Sequence, residues 1–492
     1  MFLARLLVLF SLVCISCAHS SFEQKQLKHA LDFATSNRLE LEILLQHYTY
    51  DSLKLEAAKF LIRNMPHCYS YQQGGEMDSV KRVRTYYSPF GQIDQTYARR
   101  WGHYTYRNLP KIYDAHIITA EYLIDNIDRA FDNWQKRPWN RSLSFEDFCE
   151  YLLPYRIGDE PLEEWRELYE KKYGYLLDSI YKGSDVVEAA NLVSRHLQEP
   201  VFIYCEDFEL PHIGPRYLFS HRYGSCVDAA DIVTYAFRAV GIPCMEDTDA
   251  RGGHVWNVVR DTTGRDVPIW YIASEAVRGS RDTGGYKRGK VYRPMYGFQE
   301  EKAAHLGDDW KSMPLLFYHP YMKDVSYAYY PDTLRILTGI PDDEVCYLAH
   351  FHEAHWWSCA CARSASGKME IPNLESELVY LPMKYTKGNY YPSGFPFWFA
   401  GGEINTFLPD WEKTVKVRLY RKYPVYGWLR SFMSHVVGGT FEGSMTKDFE
   451  DGKRLYEIAD TPVIARNRIF LNKPVKCRYI RYCLLYTSDA AD

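Results

Sequence analysis

The stretch that follows Gly224 constrains this chain more than any other part of it. After Gly224-Ser225-Cys226, apolar residues recur at helical spacing, at positions 227, 230, 233, 237 and 240. Gly241 stands where such a helix would stop and Pro243 lies just beyond it, which is a usual C-terminal pattern. The spacing predicts a helix with Cys226 in its first turn, where the macrodipole and the free backbone N–H groups favour a thiolate.

A β-hairpin is predicted directly after this helix. Residues 254–259 alternate as in a strand, with His254, Trp256 and Val258 on one face. A turn over residues 261–264 then leads into a second predicted strand over residues 267–272. A cysteine at the head of a helix and a histidine at the head of a strand commonly form a nucleophile pair, in which the imidazole takes the thiol proton.

At these residues the chain resembles the transglutaminase-like superfamily, whose core is papain-like and whose active site is Cys-His-Asp. The matching positions are Gly-Ser-Cys226-x-Asp228, Arg-Ala-Val-Gly-Ile-Pro243 and Gly-His254-Val-Trp256. The resemblance covers a small part of the chain. It implies that Cys226 is the nucleophile and His254 the base, with helix-head amides that bind the oxyanion of an attacked acyl group.

The third catalytic residue of that family does not match. In the segment Asp266-Val-Pro-Ile-Trp270, the tryptophan stands where the family has its aspartate. Asp266, Ser274 and Glu275 are the nearby groups that would accept a hydrogen bond from the imidazole, although none stands at the motif position. Without a fixed acceptor the Cys–His pair remains chemically possible but slower, because the imidazole tautomer is less well fixed.

A structural interpretation of the same residues stays open. A cysteine in an amphipathic helix is commonly a small buried hydrophobe, and the neighbouring Asp228 and Asp231 oppose a thiolate. A single histidine beside a tryptophan is often structural as well. In this interpretation the core is a catalytically inactive scaffold, and the protein binds a glycan or another protein.

The N-terminus has the pattern of an export signal. Arg5 precedes an apolar run over residues 6–15, which is too short to span a bilayer. Ile15-Ser16-Cys17 resembles a bacterial lipobox, which implies a signal peptide over residues 1–17, lipidation of Cys17 and a membrane-anchored lipoprotein in the periplasm or at the cell surface. Cleavage after Ala18 by an ordinary signal peptidase is the alternative.

We expect a multidomain α+β protein. Helical patterns dominate residues 20–150, with helices over 24–47 and over 51–62, the second capped by Asp51 and ended by Pro66. The transglutaminase-like core is assigned to residues 151–315. Short alternating runs then predict a β-sandwich over residues 316–425, with strands at 325–330, 333–337, 344–350, 378–383, 404–408 and 415–421.

A last β unit is expected over residues 426–483. Phe441-Glu-Gly-Ser444 and Arg478-Tyr-Ile-Arg-Tyr482 resemble the discoidin-like sandwiches that occur in glycan-associated bacterial proteins. Such folds usually continue with a closing strand, so we expect this unit to be truncated. Residues 484–492 resemble a translated sequencing adaptor and are expected to be a non-native tail.

Several classes of partner are not expected. The net charge of −4 gives no basic footprint for nucleic acid. His352, His355, Cys359 and Cys361 include metal-ligand types, but their spacing fits neither a zinc finger nor a zinc ribbon. A structural role for this cluster is favoured, and the sequence has no phosphate loop and no His-Glu-x-x-His motif. We therefore expect no metal and no cofactor.

Together these features predict cysteine-dependent chemistry on an amide outside the cytoplasm. The expected reaction is hydrolysis of a peptide, protein or glycoconjugate substrate, and transfer of the acyl group to an amine is the less favoured variant. Hydrolysis is favoured because water is always present at an exported cleft.

Overall fold

The structure is a computed structural model that describes residues 21–87, 95–101, 104–205, 208–251, 253–270, 275–280, 287–299, 313–337, 340–352, 355–416, 436–462, 467–471 and 473–483. The predicted signal peptide with Cys17, Ser274 and the predicted tail lie outside these residues. The chain is 36% helical and 24% strand, which makes it a mixed α+β protein. It divides into two compact units, residues 1–350 with 357–407 and residues 351–356 with 408–492.

The N-terminal part of the first unit is helical. Its helices are α1 (residues 21–33), α2 (Arg38–His47), α3 (Ser52–Asn64), α4 (Gly75–Arg84), α5 (Gln95–Trp101), α6 (Ala120–Lys136) and α7 (Phe145–Tyr151). A short antiparallel pair joins β1 (Tyr69–Tyr71) to β2 (Lys111–Tyr113). One apolar core contains buried side chains from α2, α3, α6 and α7, including Leu44, Leu61, Leu123 and Phe148.

The helix predicted over residues 24–47 is two helices, so that prediction was wrong at its middle. Thr35 has a positive φ of 50°, and a short 3-10 turn over Thr35–Asn37 separates α1 from α2. The side-chain amide of Asn37 donates to the carbonyl oxygens of Ala115 and Ile118 at 3.1 and 2.8 Å. The helix is interrupted there because the side chain of Asn37 binds a distant loop. The Asp51 cap is confirmed, since its carboxylate accepts the N–H of Lys54 at 3.1 Å.

A five-stranded antiparallel sheet lies at the centre of the first unit. Its strands are β5 (Cys244–Asp249), β6 (Val255–Arg260), β7 (Asp266–Ile269), β8 (Val291–Pro294) and β9 (Met322–Asp324), in the order β7-β6-β5-β8-β9. The other elements of this region are α8 (Arg166–Tyr175), α9 (Val186–Leu197), the parallel pair β3 (Ile203–Tyr204) and β4 (Tyr223–Gly224), α10 (Pro215–Ser220), α11 (Cys226–Ala239) and α12 (Leu315–Tyr318).

The two faces of this sheet belong to different apolar clusters. Cys244 and Val259 are opposite each other in β5 and β6 and pack with residues of α8, α9 and α11. Met245 and Val258, the next opposing pair, pack with Tyr151 and the region around β8. Because strand side chains alternate, α11 covers one face and a separate core covers the other.

The predicted β-rich region contains two sheets that share an apolar core. Strands β10 (Asp332–Leu337) and β13 (Lys368–Leu374) pair with each other; the larger sheet contains β11 (Val345–His352), β12 (His355–Arg363), β14 (Leu378–Thr386), β15 (Asn389–Pro392), β16 (Phe397–Ala400) and β17 (Glu403–Thr406). Leu334 and Met369 from the small sheet lie in one buried cluster with Leu348 and Phe399 from the large one.

One predicted strand of this region is wrong. Residues 325–330 contain a 3-10 turn, Ser326–Ala328, in place of a strand. The N–H of Ser326 donates to the side chain of Asp324 at 2.9 Å, and its hydroxyl accepts the N–H of Val291 at 2.9 Å. These hydrogen bonds of Ser326 compete with strand pairing, so the alternation of Val325 and its neighbours did not produce a strand.

The second unit contains a three-stranded antiparallel sheet in the order β19-β18-β20. The strands are β18 (Thr440–Ser444), β19 (Lys453–Glu457) and β20 (Tyr479–Cys483), and the two segments singled out in the sequence pair directly, with Phe441 opposite Tyr482. Within the described part of the chain, none of the helices is both long and apolar enough to cross a bilayer.

Candidate functional site

The head of α11 presents Cys226. This residue is the first of the helix and is 8% exposed. Ser225 is the N-cap, and its N–H donates to the carboxylate of Asp228 at 2.8 Å in a capping box. A Cβ on Gly224 would lie 2.3 Å from Oδ2 of Asp228, so the absence of a side chain lets this carboxylate fold back over the helix end. The Gly-Ser-Cys-x-Asp motif therefore specifies the N-terminus of this helix.

The negative charge of Asp228 is compensated by a cation. Nη1 of Arg84, from α4, lies 3.0 Å from Oδ2 of Asp228, and both side chains are 4% exposed. Arg84 also donates to the carbonyl oxygen of Phe208 at 3.3 Å. Since this guanidinium neutralises Asp228, the carboxylate opposes a thiolate at Cys226 less than the sequence alone suggests.

His254 immediately precedes β6 and is 6% exposed. Its imidazole contacts two indoles: the ring centroids are 4.8 Å from Trp270, edge to face, and 5.7 Å from Trp256, stacked. Trp270, which occupies the motif position of the acid, is thus a direct neighbour of the imidazole. The described ring contacts of His254 lie on the face of the sheet that bears Trp256.

The heads of α11 and β6 lie at the same end of the helix–sheet layer. Near the helix C-terminus, Arg238 donates to the carbonyl of Cys244 at 3.2 Å. Further back along α11, Asn257 donates to the carbonyl oxygen of Ala230 at 3.0 Å. These two contacts show that α11 and β6 run in the same direction, so Cys226 and the start of β6 lie toward the same end of the layer.

A turn held by Asp249 leads into His254. The carboxylate of Asp249 accepts the N–H groups of Arg251 and Gly253 at 3.0 and 2.9 Å. The carbonyl of His254 accepts from the hydroxyl of Thr248 at 3.1 Å and from the N–H of Asp249 at 3.3 Å. The position of His254 therefore depends on one buried carboxylate.

Asp266 does not support the imidazole. It lies opposite Arg260 in the β6–β7 ladder, six residues beyond His254, which is about 20 Å along a strand. Its carboxylate accepts from Arg293 at 2.7 Å and from the hydroxyl of Tyr151 at 3.0 Å, and it lies 3.2 Å from Arg260. The prediction that Asp266 orients His254 is wrong, because the residue belongs to a buried ion network at the far end of the strand.

Glu275 is placed at the surface. Its side chain is 58% exposed and forms an ion pair with Arg195 of α9. The carboxylate is thus solvated and paired with an arginine, whereas the acid that orients a catalytic imidazole is a buried group behind the ring. The described contacts of Glu275 give it no role at His254.

A large cleft opens beside the head of α11. Its volume is about 830 Å³, and its lining includes Ser225 and Val227, the two neighbours of Cys226 in the chain. Tyr69, Tyr106, Tyr296 and Tyr321 contribute aromatic surface, whereas Arg84, Arg156, His212, Asp228 and Glu246 contribute polar groups. The cleft is large enough for a ligand of several residues and brings it to the helix terminus.

His212 and Glu246 line the cleft, and neither was singled out from the sequence; the fully buried Asp231 lies beside His212. Nδ1 of His212 lies 2.9 Å from Oδ2 of Asp231, a fully buried residue of α11. Glu246, on β5, accepts from the hydroxyl of Thr234 at 2.6 Å. Burial, followed by repulsion from Asp231, raises the pKa of Glu246 to about 8. The signal in the sequence was the pair Asp228 and Asp231, about one turn apart in a mostly apolar helix.

His67 and Cys68 also line the cleft. Nε2 of His67 lies 3.9 Å from Sγ of Cys68, and the His67 ring stacks on Tyr321 with centroids 3.6 Å apart. Burial lowers the pKa of His67 to about 3 and raises the pKa of Cys68 to about 12. Both groups are therefore neutral at physiological pH, so this pair is not an activated thiolate.

Of the two cysteines in the metal-type cluster, Cys359 is a core residue. Cys359 and Cys361 both lie in β12, and Cys359 is fully buried in the core shared by the two sheets. Burial raises the pKa of the Cys359 thiol far above its usual range. Among the residues that the structure describes, no group of three histidine, cysteine or acidic side chains converges as metal ligands do.

No protein-family model, curated protein or solved structure matches this chain. The resemblance to the transglutaminase-like superfamily consequently depends on the motif residues around Cys226 and His254.

Proposed function

We propose that this protein is a cysteine-dependent amide hydrolase of the transglutaminase-like type. The observation that supports it most is the position of Cys226, the first residue of a capped helix whose flanking residues Ser225 and Val227 line a cleft of about 830 Å³. The backbone N–H groups of such a terminus point outward, so they favour both a thiolate and an oxyanion. His254, at the head of the adjacent strand, is the proposed base.

The proposed reaction begins when His254 takes the thiol proton of Cys226. The thiolate attacks the carbonyl carbon of the amide, and the helix-head amides, including that of Cys226, hold the oxyanion that forms. Collapse of this intermediate expels the amine, and water then releases the acyl group from sulfur. We favour hydrolysis over transfer because transfer needs a bound amine that excludes water.

The setting of this reaction is part of the proposal. We infer an exported lipoprotein anchored through Cys17, a transglutaminase-like core over residues 151–315, a β-sandwich over 316–425 and a discoidin-like module over 426–483. The two sheets around Leu348 and the strand pair Phe441–Tyr482 are compatible with these assignments. The proposed substrates are peptides, proteins or glycoconjugates outside the cytoplasm.

The alkylation rate of Cys226 tests the proposal. We expect iodoacetamide to modify Cys226 with a pH profile that titrates well below the ~8.5 of a free cysteine. In His254→Ala this midpoint should move up by about one unit or more, because the thiolate loses its cationic partner. The modified residue is identified by peptide mass spectrometry.

Cys68 is the internal control for that measurement. Cys68 lines the cleft beside the head of α11 but is buried, with its pKa raised to about 12, so it should remain unmodified at neutral pH. Equal modification of Cys68 and Cys226, or a Cys226 profile that His254→Ala leaves unchanged, would reject the activated pair.

A second prediction concerns the turn that holds His254. Asp249→Ala removes the acceptor of two backbone N–H groups and should lower the free energy of unfolding by about 1–3 kcal/mol. Asp261→Ala is the matched control, because Asp261 accepts the N–H groups of Thr263 and Arg265 at the other end of β6. We expect similar destabilisation in urea melts, with a changed Cys226 alkylation profile only in Asp249→Ala. The same profile in both variants would contradict a positioning role.

An inactive scaffold that binds a glycan or a protein is the second candidate. It is favoured by one specific contact, the ring of Trp270 edge-on to His254 at 4.8 Å, where the family has an acid. With Asp266 and Glu275 engaged elsewhere, the imidazole lacks the two acids that the sequence offered. An ordinary thiol at Cys226 in the alkylation experiment would make binding to glycan arrays the next measurement.

A further inference from the structure

His212 is a cleft histidine that the proposed reaction has not used. His212 lies in the segment before α10, and it lines the cleft together with Ser225, Val227 and Asp228 of the α11 head. Its side chain is 25% exposed, so the ring is partly open to the cleft. It thus lies in the cleft that Ser225 and Val227, the chain neighbours of the proposed nucleophile, also line.

The orientation of this ring is set by a buried carboxylate. Nδ1 of His212 lies 2.9 and 3.0 Å from the two oxygens of Asp231, whose side chain is completely buried. The backbone N–H of His212 donates to the carboxylate of Asp159 at 2.9 Å. With Nδ1 committed to Asp231, Nε2 is the ring nitrogen left for exchange with a ligand, as in other Asp–His pairs.

The loop around Gly158 packs against the ring of His212. A Cβ at Gly158 would lie 2.3 to 2.7 Å from three ring atoms, and near-equal distances of this kind put it over the ring face rather than in the direction of the Nε2–H bond. The loop is itself held, because Glu160 accepts the N–H groups of Ile157 and Gly158 at 2.7 and 2.8 Å. The loop therefore restricts the movement of the His212 ring by packing over its face.

The charges around His212 favour its protonated form. Burial alone would lower its pKa, but Asp231, with Asp159 and Glu160 behind it, outweighs burial and raises the pKa well above its usual value. Glu246 faces the same pair from β5 and is a neutral acid below about pH 8. At neutral pH the side chain is thus an imidazolium with its Nδ1 proton shared with Asp231.

We propose that His212, oriented by Asp231, is the proton donor to the leaving amine, a catalytic role separate from that of His254. The role rests on the amide cleavage proposed above. When the C–N bond of the tetrahedral intermediate breaks, its electron pair stays on nitrogen, which takes the Nε2 proton of His212 and leaves as a neutral amine. The acyl group remains on sulfur as a thioester. Water then adds its hydroxyl to the acyl carbon and returns its proton to His212, while sulfur leaves as the thiolate.

Two probes with the same acyl group test this role. p-Nitrophenyl acetate releases a phenolate that needs no proton, whereas p-nitroacetanilide releases an amine that does. We expect His212→Gln to lower anilide hydrolysis by about 10²-fold or more and to leave the p-nitrophenol burst essentially unchanged. Asp231→Asn should lower anilide hydrolysis as well and should shift the alkaline limb of its pH profile to lower pH, because the carboxylate that stabilises the imidazolium is lost.

Chemical rescue separates proton transfer from a structural effect. Added imidazole should restore anilide hydrolysis in His212→Ala, and His29→Gln, at an exposed histidine of α1, should have no effect. Equal losses on both probes in His212→Gln would show a structural role and overturn this proposal while the proposed function stands. A p-nitrophenol burst that persists in Cys226→Ala, or no turnover of either probe by the wild type, would overturn the proposed function itself and this role with it.

Discussion

Replacing Arg293 by methionine is expected to lower the free energy of unfolding of the first unit by about 3–5 kcal/mol. Arg293 is 2% exposed, and its guanidinium binds both oxygens of Asp247, at 2.6 and 3.0 Å, and Oδ2 of Asp266, at 2.7 Å. Removing the cation takes the arginine partner from the buried carboxylate of Asp247 and leaves Asp266 with Arg260, 3.2 Å away. The loss is larger than that of the side chain's own packing, because methionine has a similar apolar length.

The same network supports the indole beside His254. Oδ2 of Asp247 also accepts from the hydroxyl of Tyr329 at 2.6 Å, and that hydroxyl accepts from Nε1 of Trp256 at 2.9 Å. We therefore expect Arg293→Met to speed hydrogen exchange in β5 and β6 before the N-terminal helices, since the strands share the broken contacts.

Arg335→Met is the control for this variant. Arg335 and Glu370 form an ion pair at 2.9 Å on strands β10 and β13, but their side chains are 68% and 58% exposed. Such a pair contributes less than about 1 kcal/mol, because water and salt screen it. Urea denaturation followed by tryptophan fluorescence compares the two, and equal losses would contradict the buried-network argument.

Glu246→Gln is expected to stabilise the protein at alkaline pH, on the order of 5 kcal/mol at pH 9. Burial and the charge of Asp231 raise the pKa of Glu246 from 4.5 to about 8 in the folded state. Glutamine keeps an acceptor for the hydroxyl of Thr234 but carries no charge to bury. The substitution therefore removes an unfavourable ionisation and leaves the packing of β5 against α11 in place.

The sign of the pH dependence follows from proton binding. Between about pH 4.5 and 8 the folded state holds a proton on Glu246 that the unfolded chain has released, so raising the pH through this window destabilises the wild type. Below that window Glu246 is protonated in both the folded and the unfolded wild type, so the wild type and Glu246→Gln should have equal stability. The gain from Glu246→Gln should thus grow from pH 5 and level off above pH 8.

Glu370→Gln, at an exposed position in β13, is the control for the pH series. Chemical denaturation from pH 5 to pH 9 measures the free energy of unfolding of the wild type, Glu246→Gln and Glu370→Gln. A gain for Glu246→Gln that is the same at every pH would show a packing effect and would contradict the assigned ionisation.

Local features of the site were predictable from the sequence. The helix that begins at Cys226, its stop before Gly241, the turn that ends at Gly264 and the following strand are confirmed. Gly241 and Gly264 both have positive φ, 80° and 76°, which a Cβ disfavours. These features depend on neighbours within a few residues, so spacing and turn chemistry suffice to predict them.

Contacts between distant segments were not predictable in this way. Asp266 is four residues from the mismatched Trp270 in the sequence, yet β-pairing carries it to the end of β6 that bears Arg260. His212 precedes the head of α11 in the sequence and Asp231 follows it. The two residues meet only because the segment before α10 packs against α11. The kink at Asn37 likewise arises from a loop around Ile118.

By itself, the sequence determined the mixed α+β class, the helix head that presents Cys226 and the hairpin that follows His254, because each is encoded by spacing, capping and turn residues within one segment. Only the tertiary structure decided which carboxylates lie near which histidines, that Trp270 contacts His254, and that Arg84 neutralises Asp228. The physical reason is that charge and hydrogen-bond partners in a buried site are selected by the packing of whole elements, whose register no single segment contains.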